Sequence, residues 1–215
     1  MRTIEYPIDI AKEFQLSFAQ NQDRLDIIDW QVNEEILKTL YNIEGKTEQT
    51  RRAQVQDPVI RSKIRNILTD LGIDKQKGEG WMCYSRAFLP TALHVDIPED
   101  DVNENGHTII IPLTQSDKIK TLVFKEECNS PILDYWIEKQ DWDNREKISE
   151  ISAEHDMSHG WWKRPDIVDH MELDGIGEWT LGTAFCFKRS QIHGSTNFTH
   201  AGFPFKDYLL VQTNN

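Results

Sequence analysis

The chain has 215 residues, of which 38% are hydrophobic and 28% are charged, which is typical of one soluble globular domain with a sizeable core. Its formal net charge of −12 repels phosphate backbones, so nucleic acid is not an expected partner. No apolar run is long enough to cross a bilayer and the first residues contain no apolar signal-peptide core, so we expect a cytoplasmic protein without a membrane partner.

Residues 1–76 are predicted to form a helical N-terminal flank. Residues 32–43, "VNEEILKTLYNI", place their apolar side chains on one helical stripe. Residues 57–72, "DPVIRSKIRNILTDLG", are the clearest helix of the chain, with Asp57 as the N-cap and Gly72 after the last turn. The apolar residues of this second helix recur at helical spacing, so we expect it to pack against the core without a catalytic role.

After residue 77 the sequence is typical of a β protein. Short runs rich in β-branched and aromatic residues alternate with turn-forming residues at 81–89, 107–113, 119–125, 166–173, 178–188 and 206–213. A polar insertion at about 126–166, with a helix near 143–154, separates the third run from the fourth. We therefore predict a mainly β protein with flanking helices, in which 77–213 form a cupin-like jelly roll, the double-stranded β-helix, within a single domain of residues 1–215.

Two His-x-acid motifs are candidate metal sites. They are His94 with Asp96 and His170 with Glu172. Residues i and i+2 of an extended chain point to the same side, so each pair could converge on one ion. Such motifs also arise by chance, and a hydrogen-bonded pair at a strand end is the alternative for His94 and Asp96.

A third ligand distinguishes the two motifs. A non-haem iron(II) site needs two imidazoles and one carboxylate on one face. His193 follows the apolar run "GTAFCFK", and the interval from Asp96 to His193 has room for four strands and an insertion, as a double-stranded barrel requires. His170 is too close in sequence to His193 for such an arrangement, so we interpret it as a structural histidine.

Four segments together resemble a known family. The 2-oxoglutarate- and Fe(II)-dependent oxygenases, above all their small bacterial and phage-encoded members, are similar to this chain over roughly residues 81–213. The resemblance rests on the segments "LHVDIPED", "HTIIIPL", "TLVF" and "IHGSTN", followed by a basic residue that opens the last strand.

The resemblance implies a double-stranded β-helix in which His94, Asp96 and His193 bind Fe(II) and 2-oxoglutarate serves as co-substrate. The activity it implies is hydroxylation of a small-molecule or peptidyl substrate with O₂. Related halogenating enzymes lack the carboxylate, so Asp96 favours hydroxylation. Neither the identity of the substrate nor the oligomeric state follows from the sequence.

The resemblance also implies a site for 2-oxoglutarate. Lys206, in the apolar run "FKDYLLV", corresponds to the basic anchor of the co-substrate carboxylate, since a buried ammonium needs an anionic partner. It follows His193 by 13 residues, more than is usual in the family, so the intervening residues are expected to loop out. Arg86 and Lys120 are the fallback anchors. Tyr84 resembles a tyrosine that binds 2-oxoglutarate, although a core aromatic is the alternative.

Three further residues are candidates for substrate contact. Trp161 and Trp162 lie in the insertion, within "HGWWKRP", and are predicted to form a mobile lid over the active site unless they pack beneath the insertion. Asn197 either lines the site or serves as a turn residue.

Two other functions remain consistent with the sequence. A cupin-like metalloprotein would use the same barrel and metal without 2-oxoglutarate, and its Lys206 would be in solvent. A metal-free jelly-roll binding or structural protein, such as a virion component, would keep His94 and His193 far apart.

Overall fold

The computed structural model describes most of the chain. The described residues are 1–31, 48–73, 80–97, 106–129, 137, 139–157 and 165–213. They form ten strands: β1 (Arg2–Glu5), β2 (Ile27–Gln31), β3 (Glu48–Gln54), β4 (Met82–Ala87), β5 (His107–Pro112), β6 (Ser116–Glu127), β7 (Leu173–Trp179), β8 (Thr183–Lys188), β9 (Gln191–Ser195) and β10 (Lys206–Gln212). The α-helices are α1 (Ile8–Gln20), α2 (Pro58–Asp70) and α3 (Ile151–Glu154), and short 3₁₀ helices span Gln22–Arg24, Trp142–Asn144 and Pro165–His170.

Two antiparallel sheets face each other. The large sheet has the order β1-β8-β5-β10-β4-β3-β2, and the small sheet has the order β7-β6-β9. Phe185 and Leu210 of the large sheet pack with Val123 and Trp179 of the small sheet in one buried cluster, which we call the barrel interior. The fold is thus the predicted jelly roll, or double-stranded β-helix.

Alternation along the strands divides the large sheet between two cores. On β10, Tyr208 and Leu210 face the barrel interior, whereas Leu209 and Val211 face the opposite side. On that opposite side, α1 and α2 form a helix layer. Because both faces are buried, β10 reads as a continuous apolar run, and each side chain's role depends on the face it occupies.

Helix α2 begins as its sequence predicts. The carboxylate of Asp57 accepts hydrogen bonds from the amides of Val59 at 2.7 Å and Ile60 at 3.4 Å. Gly72 follows the helix with φ of 74°, a conformation that costs glycine little. Among the described residues no helix has the length and apolarity that a membrane span requires.

Substituting Asp57 with alanine should lower the free energy of unfolding by about 1 kcal/mol, because two amides of the first turn of α2 lose their acceptor. Urea unfolding monitored by circular dichroism measures the change. Asp70→Ala is the matched control in the same helix, since removing a negative charge at the C-terminal end is neutral or slightly stabilising. Equal losses for both variants would contradict the capping role.

The N-terminal flank, predicted as helical, contains strands as well as helices. In addition to α1 and α2, this region contributes β1, β2 and β3 to the large sheet, with β1 paired to β8 and β3 paired to β4. β1 and β3 carry many polar residues, so their sequences lack the apolar runs that indicate a strand. The helix predicted at 32–43 lies outside the described residues.

The insertion also differs from its prediction. It runs from the end of β6 to Leu173, and residues 165–170 form a 3₁₀ helix where a strand was expected at 166–173. The fully buried Asp169 accepts hydrogen bonds from the amide and hydroxyl of Ser152 at 2.7 and 2.5 Å. These bonds join residues 17 apart in sequence and connect this segment to an earlier part of the insertion, where strand pairing was expected. The helix expected near 143–154 is reduced to a 3₁₀ turn and the four-residue α3.

The segment predicted as one strand at 178–188 is divided by a tight turn between two strands of different sheets. β7 ends at Trp179, Gly182 adopts φ of 82°, and β8 begins at Thr183. The turn carries β7 of the small sheet into β8 of the large sheet, which places both strands around the barrel interior.

Candidate metal centre

The three predicted ligands lie together at the edge of the small sheet. His94 and His193 form an isolated antiparallel bridge, with N–O distances of 2.9 and 3.0 Å. The Nε2 atoms of His94 and His193 lie 3.5 and 3.4 Å from the carboxylate oxygens of Asp96. One ligand atom from each residue lies within 4.8 Å of the other two. Strands β5 to β8 separate Asp96 from His193 in sequence, as the double-stranded barrel requires.

Hydrogen bonds fix the orientation of both imidazoles. Nδ1 of His94 lies 2.8 Å from the carbonyl oxygen of Ala92, and Nδ1 of His193 lies 2.9 Å from that of Gln191. A carbonyl only accepts, so each Nδ1 carries the proton and each Nε2 presents a lone pair. Both lone pairs are on the side of Asp96. Two imidazoles and one carboxylate are a ligand set that suits a divalent first-row transition metal.

The charges of the cluster match what a metal needs. Burial tends to raise the pKa of Asp96, but His193 and His94 outweigh it and hold that pKa well below its usual range. Burial lowers the pKa of His193, which favours its neutral form. An ionised carboxylate beside a neutral imidazole is the state in which both residues bind a cation.

Exposure differs across the cluster and shows where it opens. The side chain of His193 is 4% exposed, that of Asp96 16%, and that of His94 33%. The ring of Phe187 lies against His193, with 4.4 Å between centroids. Solvent therefore reaches the cluster from the side of His94, while the side of His193 belongs to the barrel interior.

Lys206 is a buried cation in the same interior. Its Nζ donates to the Ser195 hydroxyl at 2.8 Å and lies 4.2 Å from the ring centroid of Trp179 and 5.2 Å from that of Phe198. It forms no salt bridge within the described part of the chain, and burial lowers its pKa to about 7. Ser195 follows His193 by two residues on β9, or about 6.5 Å along the strand. The ammonium can thus receive a carboxylate close to the metal ligands.

The two fallback anchors are both paired elsewhere. Arg86 donates to the two carboxylate oxygens of Asp207 at 2.7 and 2.8 Å and stacks over Phe205. Lys120 forms an ion pair with Glu178 on the neighbouring strand. Arg86 alternates with the inward-facing residues of its strand, so its guanidinium lies on the helix-facing side, and neither prediction of a fallback anchor fits the geometry.

Tyr84 also lies on the wrong side of the large sheet for its predicted role. Its hydroxyl is 2.5 Å from that of Ser17, and its ring meets the edge of Phe18, both in α1. Its neighbour Cys83 faces the barrel interior. The core-aromatic alternative is therefore the correct one, and Tyr84 does not line the site.

Asn197 has the contacts of a turn residue. Its side-chain oxygen accepts hydrogen bonds from the Thr199 hydroxyl at 2.6 Å and the His200 amide at 3.3 Å. Its backbone N–H donates to the backbone carbonyl of Asp156 at 2.7 Å. These contacts shape the loop between β9 and β10, so the turn interpretation replaces the prediction that Asn197 lines the site.

The second His-x-acid motif is structural, as the sequence suggests. Nδ1 of His170 lies 3.0 Å from the carbonyl oxygen of Arg145. Glu172 pairs with Lys125 on the surface. Neither residue belongs to the metal-binding cluster.

The described part of the insertion packs on the small sheet. Trp142 is buried and donates its indole N–H to the Ile137 carbonyl at 2.8 Å. Its cluster includes Leu122 and Phe124, on the face of the small sheet opposite the barrel interior. Trp161 and Trp162 lie outside the described residues, so their lid role stays a prediction.

Three residues of the site escaped the sequence analysis. Thr108 donates its hydroxyl to Asp96 Oδ2 at 2.6 Å, and Arg189 donates through Nε to the Asp96 carbonyl at 2.9 Å. Ser195 accepts from Lys206. A single polar residue within an apolar strand, as in "HTIIIP", is the only signal for Thr108.

Comparisons with known proteins agree with this fold. No protein-family profile matches the chain, and no curated protein sequence matches it. A crystal structure of EctD from S. alaskensis with 2-oxoglutarate and 5-hydroxyectoine aligns with this chain at a TM-score of 0.56 and 13% sequence identity. The alignment covers 99% of this chain and 71% of the EctD chain. A second similar structure is the non-heme alpha ketoglutarate dependent carbocyclase SnoK from nogalamycin biosynthesis, with a TM-score of 0.56 and 12% sequence identity. The alignment covers 99% of this chain and 79% of the SnoK chain.

A third similar structure is SnoN, a non-heme alpha ketoglutarate dependent epimerase from nogalamycin biosynthesis, with a TM-score of 0.51 and 11% sequence identity. The alignment covers 99% of this chain and 78% of the SnoN chain. These neighbours are 2-oxoglutarate/Fe(II)-dependent oxygenases with a double-stranded β-helix. The chain described here has the fold of that class.

Proposed function

We propose that this protein is an Fe(II)- and 2-oxoglutarate-dependent dioxygenase that hydroxylates a small-molecule or peptidyl substrate. The observation that carries the proposal is the pairing of two features in one interior. The first is the cluster of His94, Asp96 and His193, which is suited to a metal. The second is Lys206, a buried lysine without an anionic partner among the described residues, whose contact Ser195 follows His193 by two residues on β9.

The three ligands of this proposal act from one face. His94 and His193 bind the metal through Nε2, because each Nδ1 is committed to a backbone carbonyl. Asp96 supplies the carboxylate. When bound, Fe(II) and 2-oxoglutarate supply the oxidising power to place one oxygen atom of O₂ on a C–H bond, with succinate and CO₂ as co-products.

Lys206 provides the recognition of 2-oxoglutarate in this proposal. Its ammonium pairs with the carboxylate remote from the metal, and Ser195 holds Nζ in place. Trp179 and Phe198 exclude water from the pair, which strengthens the interaction. The primary substrate approaches from the side of His94, where the cluster opens.

The geometry weighs against both rival functions. A cupin-like metalloprotein without 2-oxoglutarate gives no reason to bury Lys206, which is only 4% exposed. A metal-free jelly-roll protein gives no reason for two imidazoles to orient their lone pairs towards one carboxylate. Asp96 further supports hydroxylation over halogenation, because a halide needs the position that a carboxylate fills.

Succinate formation tests the proposal directly. Protein purified without oxygen and loaded with Fe(II) is expected to convert 2-oxoglutarate to succinate slowly alone, and faster with a true substrate from a panel of amino acids, peptides and small metabolites. Chelation of the metal should abolish the reaction. If folded, Fe(II)-loaded protein neither binds nor consumes 2-oxoglutarate, the cupin-like alternative is correct.

A further inference from the structure

The main chain of Asp96 is held on both sides by one residue. The Asp96 amide donates to the Arg189 carbonyl at 2.9 Å, and Nε of Arg189 donates to the Asp96 carbonyl at 2.9 Å. Arg189 is only 5% exposed, so this clamp is shielded from water. With its backbone fixed, Asp96 retains freedom chiefly in the rotation of its carboxylate.

Thr108 restrains that rotation. It lies on β5, is 1% exposed, and donates its hydroxyl to Asp96 Oδ2 at 2.6 Å. An O–H···O⁻ bond of this length is charge-assisted and stronger than a bond between neutral groups. Among the described residues, Thr108 supplies the one hydroxyl bonded to this carboxylate, whose other polar neighbours are the two ligand imidazoles.

The two carboxylate oxygens are therefore not equivalent. A carboxylate can bind a metal through one oxygen or through both. Oδ2 lies 3.4 Å from Nε2 of His193 and Oδ1 lies 3.5 Å from Nε2 of His94, but only Oδ2 accepts a hydrogen bond from a hydroxyl of the described residues, that of Thr108. Binding through Oδ1 alone keeps the bond to Thr108, whereas binding through both oxygens weakens it.

The number of metal–oxygen bonds matters for this site. A six-coordinate metal held by two imidazoles and one carboxylate oxygen would keep three positions open, whereas a second carboxylate oxygen would occupy one of them. We propose that Thr108 is a positioning residue that restricts Asp96 to one metal–oxygen bond, through Oδ1, and so preserves the third open position. This inference rests on the metal site of the proposed function.

Thr108→Val tests the proposal, because valine keeps the branched shape that suits a strand and removes only the hydroxyl. Thr108→Ser is the matched variant that restores it. Cobalt(II) is the probe, since its visible absorption reports the coordination number without turnover. We expect Thr108→Val to bind Co(II) about 10–100-fold more weakly and to change the spectrum of the complex with 2-oxoglutarate.

Thr108→Ser should reproduce the affinity and the spectrum of the unmodified protein. Thr108→Ala provides a second hydroxyl-free variant should valine disturb folding, which thermal unfolding of each protein checks. Unchanged affinity and spectrum in folded hydroxyl-free variants would overturn the positioning role and leave the proposed function intact. If the unmodified protein binds no Co(II), or binds it equally well after His193→Ala, the proposed function itself fails.

Discussion

Replacing His193 with alanine is expected to weaken metal binding by more than about 100-fold and to abolish turnover of 2-oxoglutarate. Loss of a residue that merely orients a ligand costs 10–100-fold, and loss of a ligand should cost more. His193 is buried and its Nε2 faces Asp96, so no solvent-exposed side chain can easily replace it. Equilibrium dialysis with Mn(II) or Co(II) measures the change.

His170→Ala is the matched control, since it removes the same side chain from the other His-x-acid motif. His170 interacts with the backbone of the insertion, so metal affinity should stay unchanged. Comparable losses in both variants would indicate a general effect on folding. Unchanged metal affinity in His193→Ala would remove this residue from the ligand set.

Replacing Lys206 with methionine should separate co-substrate binding from metal binding. Removing one partner of a buried charge pair costs about 2–5 kcal/mol, so 2-oxoglutarate affinity should fall at least roughly 30-fold. Metal affinity should change little, because Lys206 contacts Ser195 and two aromatic rings but no metal ligand. Calorimetric titration of metal-loaded protein with 2-oxoglutarate measures the affinity for 2-oxoglutarate, and equilibrium dialysis with Mn(II) or Co(II) measures the affinity for the metal. Lys120→Met, which removes a lysine paired with Glu178, should leave the affinity for 2-oxoglutarate unchanged.

Lys206→Met should raise the free energy of unfolding when 2-oxoglutarate is absent. Burial lowers the pKa of Lys206 from 10.5 to about 7, so between these values the unfolded chain binds more protons than the folded one. This lysine's contribution to stability is therefore least favourable below about pH 7 and improves as pH rises towards 10.5. Lys206→Met removes that dependence, so its advantage in urea unfolding should be largest at and below neutral pH. A variant less stable than the unmodified protein at pH 6 would contradict this account.

Local spacing predicted one part of the candidate metal cluster. His94 and Asp96 are two residues apart on an extended segment, so their side chains share a face without any knowledge of the tertiary fold. Placing His193 beside them needed the expectation of a double-stranded barrel, which the strand-like runs supplied. Lys206 was predicted from the resemblance to the 2-oxoglutarate-dependent oxygenases, and the need of a buried cation for an anionic partner supported that prediction.

The failed predictions have different physical causes. β4 is buried on both faces, so its sequence has no alternation of polar and apolar residues that would assign Tyr84 and Arg86 to the helix layer. Strands β1 and β3 of the N-terminal flank were missed for the opposite reason, because their polar composition lacks the apolar runs that indicate a strand. In the insertion, Asp169 organises local turns that no periodic pattern indicates.

Residues that support the site from other strands could not be predicted at all. Thr108 and Arg189 meet Asp96 because β5 and the turn after β8 lie beside its segment in the folded barrel. Ser195 meets Lys206 across the two sheets. Each of these contacts depends on the three-dimensional arrangement of the barrel, which the sequence indicated only as a fold class.

Anaerobic titration of the Fe(II)-loaded protein with 2-oxoglutarate tests the central claim most directly. A 2-oxo acid that chelates Fe(II) through its keto and carboxylate oxygens produces a visible charge-transfer absorption. We predict that this absorption grows to saturation at one equivalent, is absent in His193→Ala, and requires far more 2-oxoglutarate in Lys206→Met. An unchanged spectrum, in a protein that has bound Fe(II) and remains folded, would contradict the assignment of this chain as a 2-oxoglutarate-dependent enzyme.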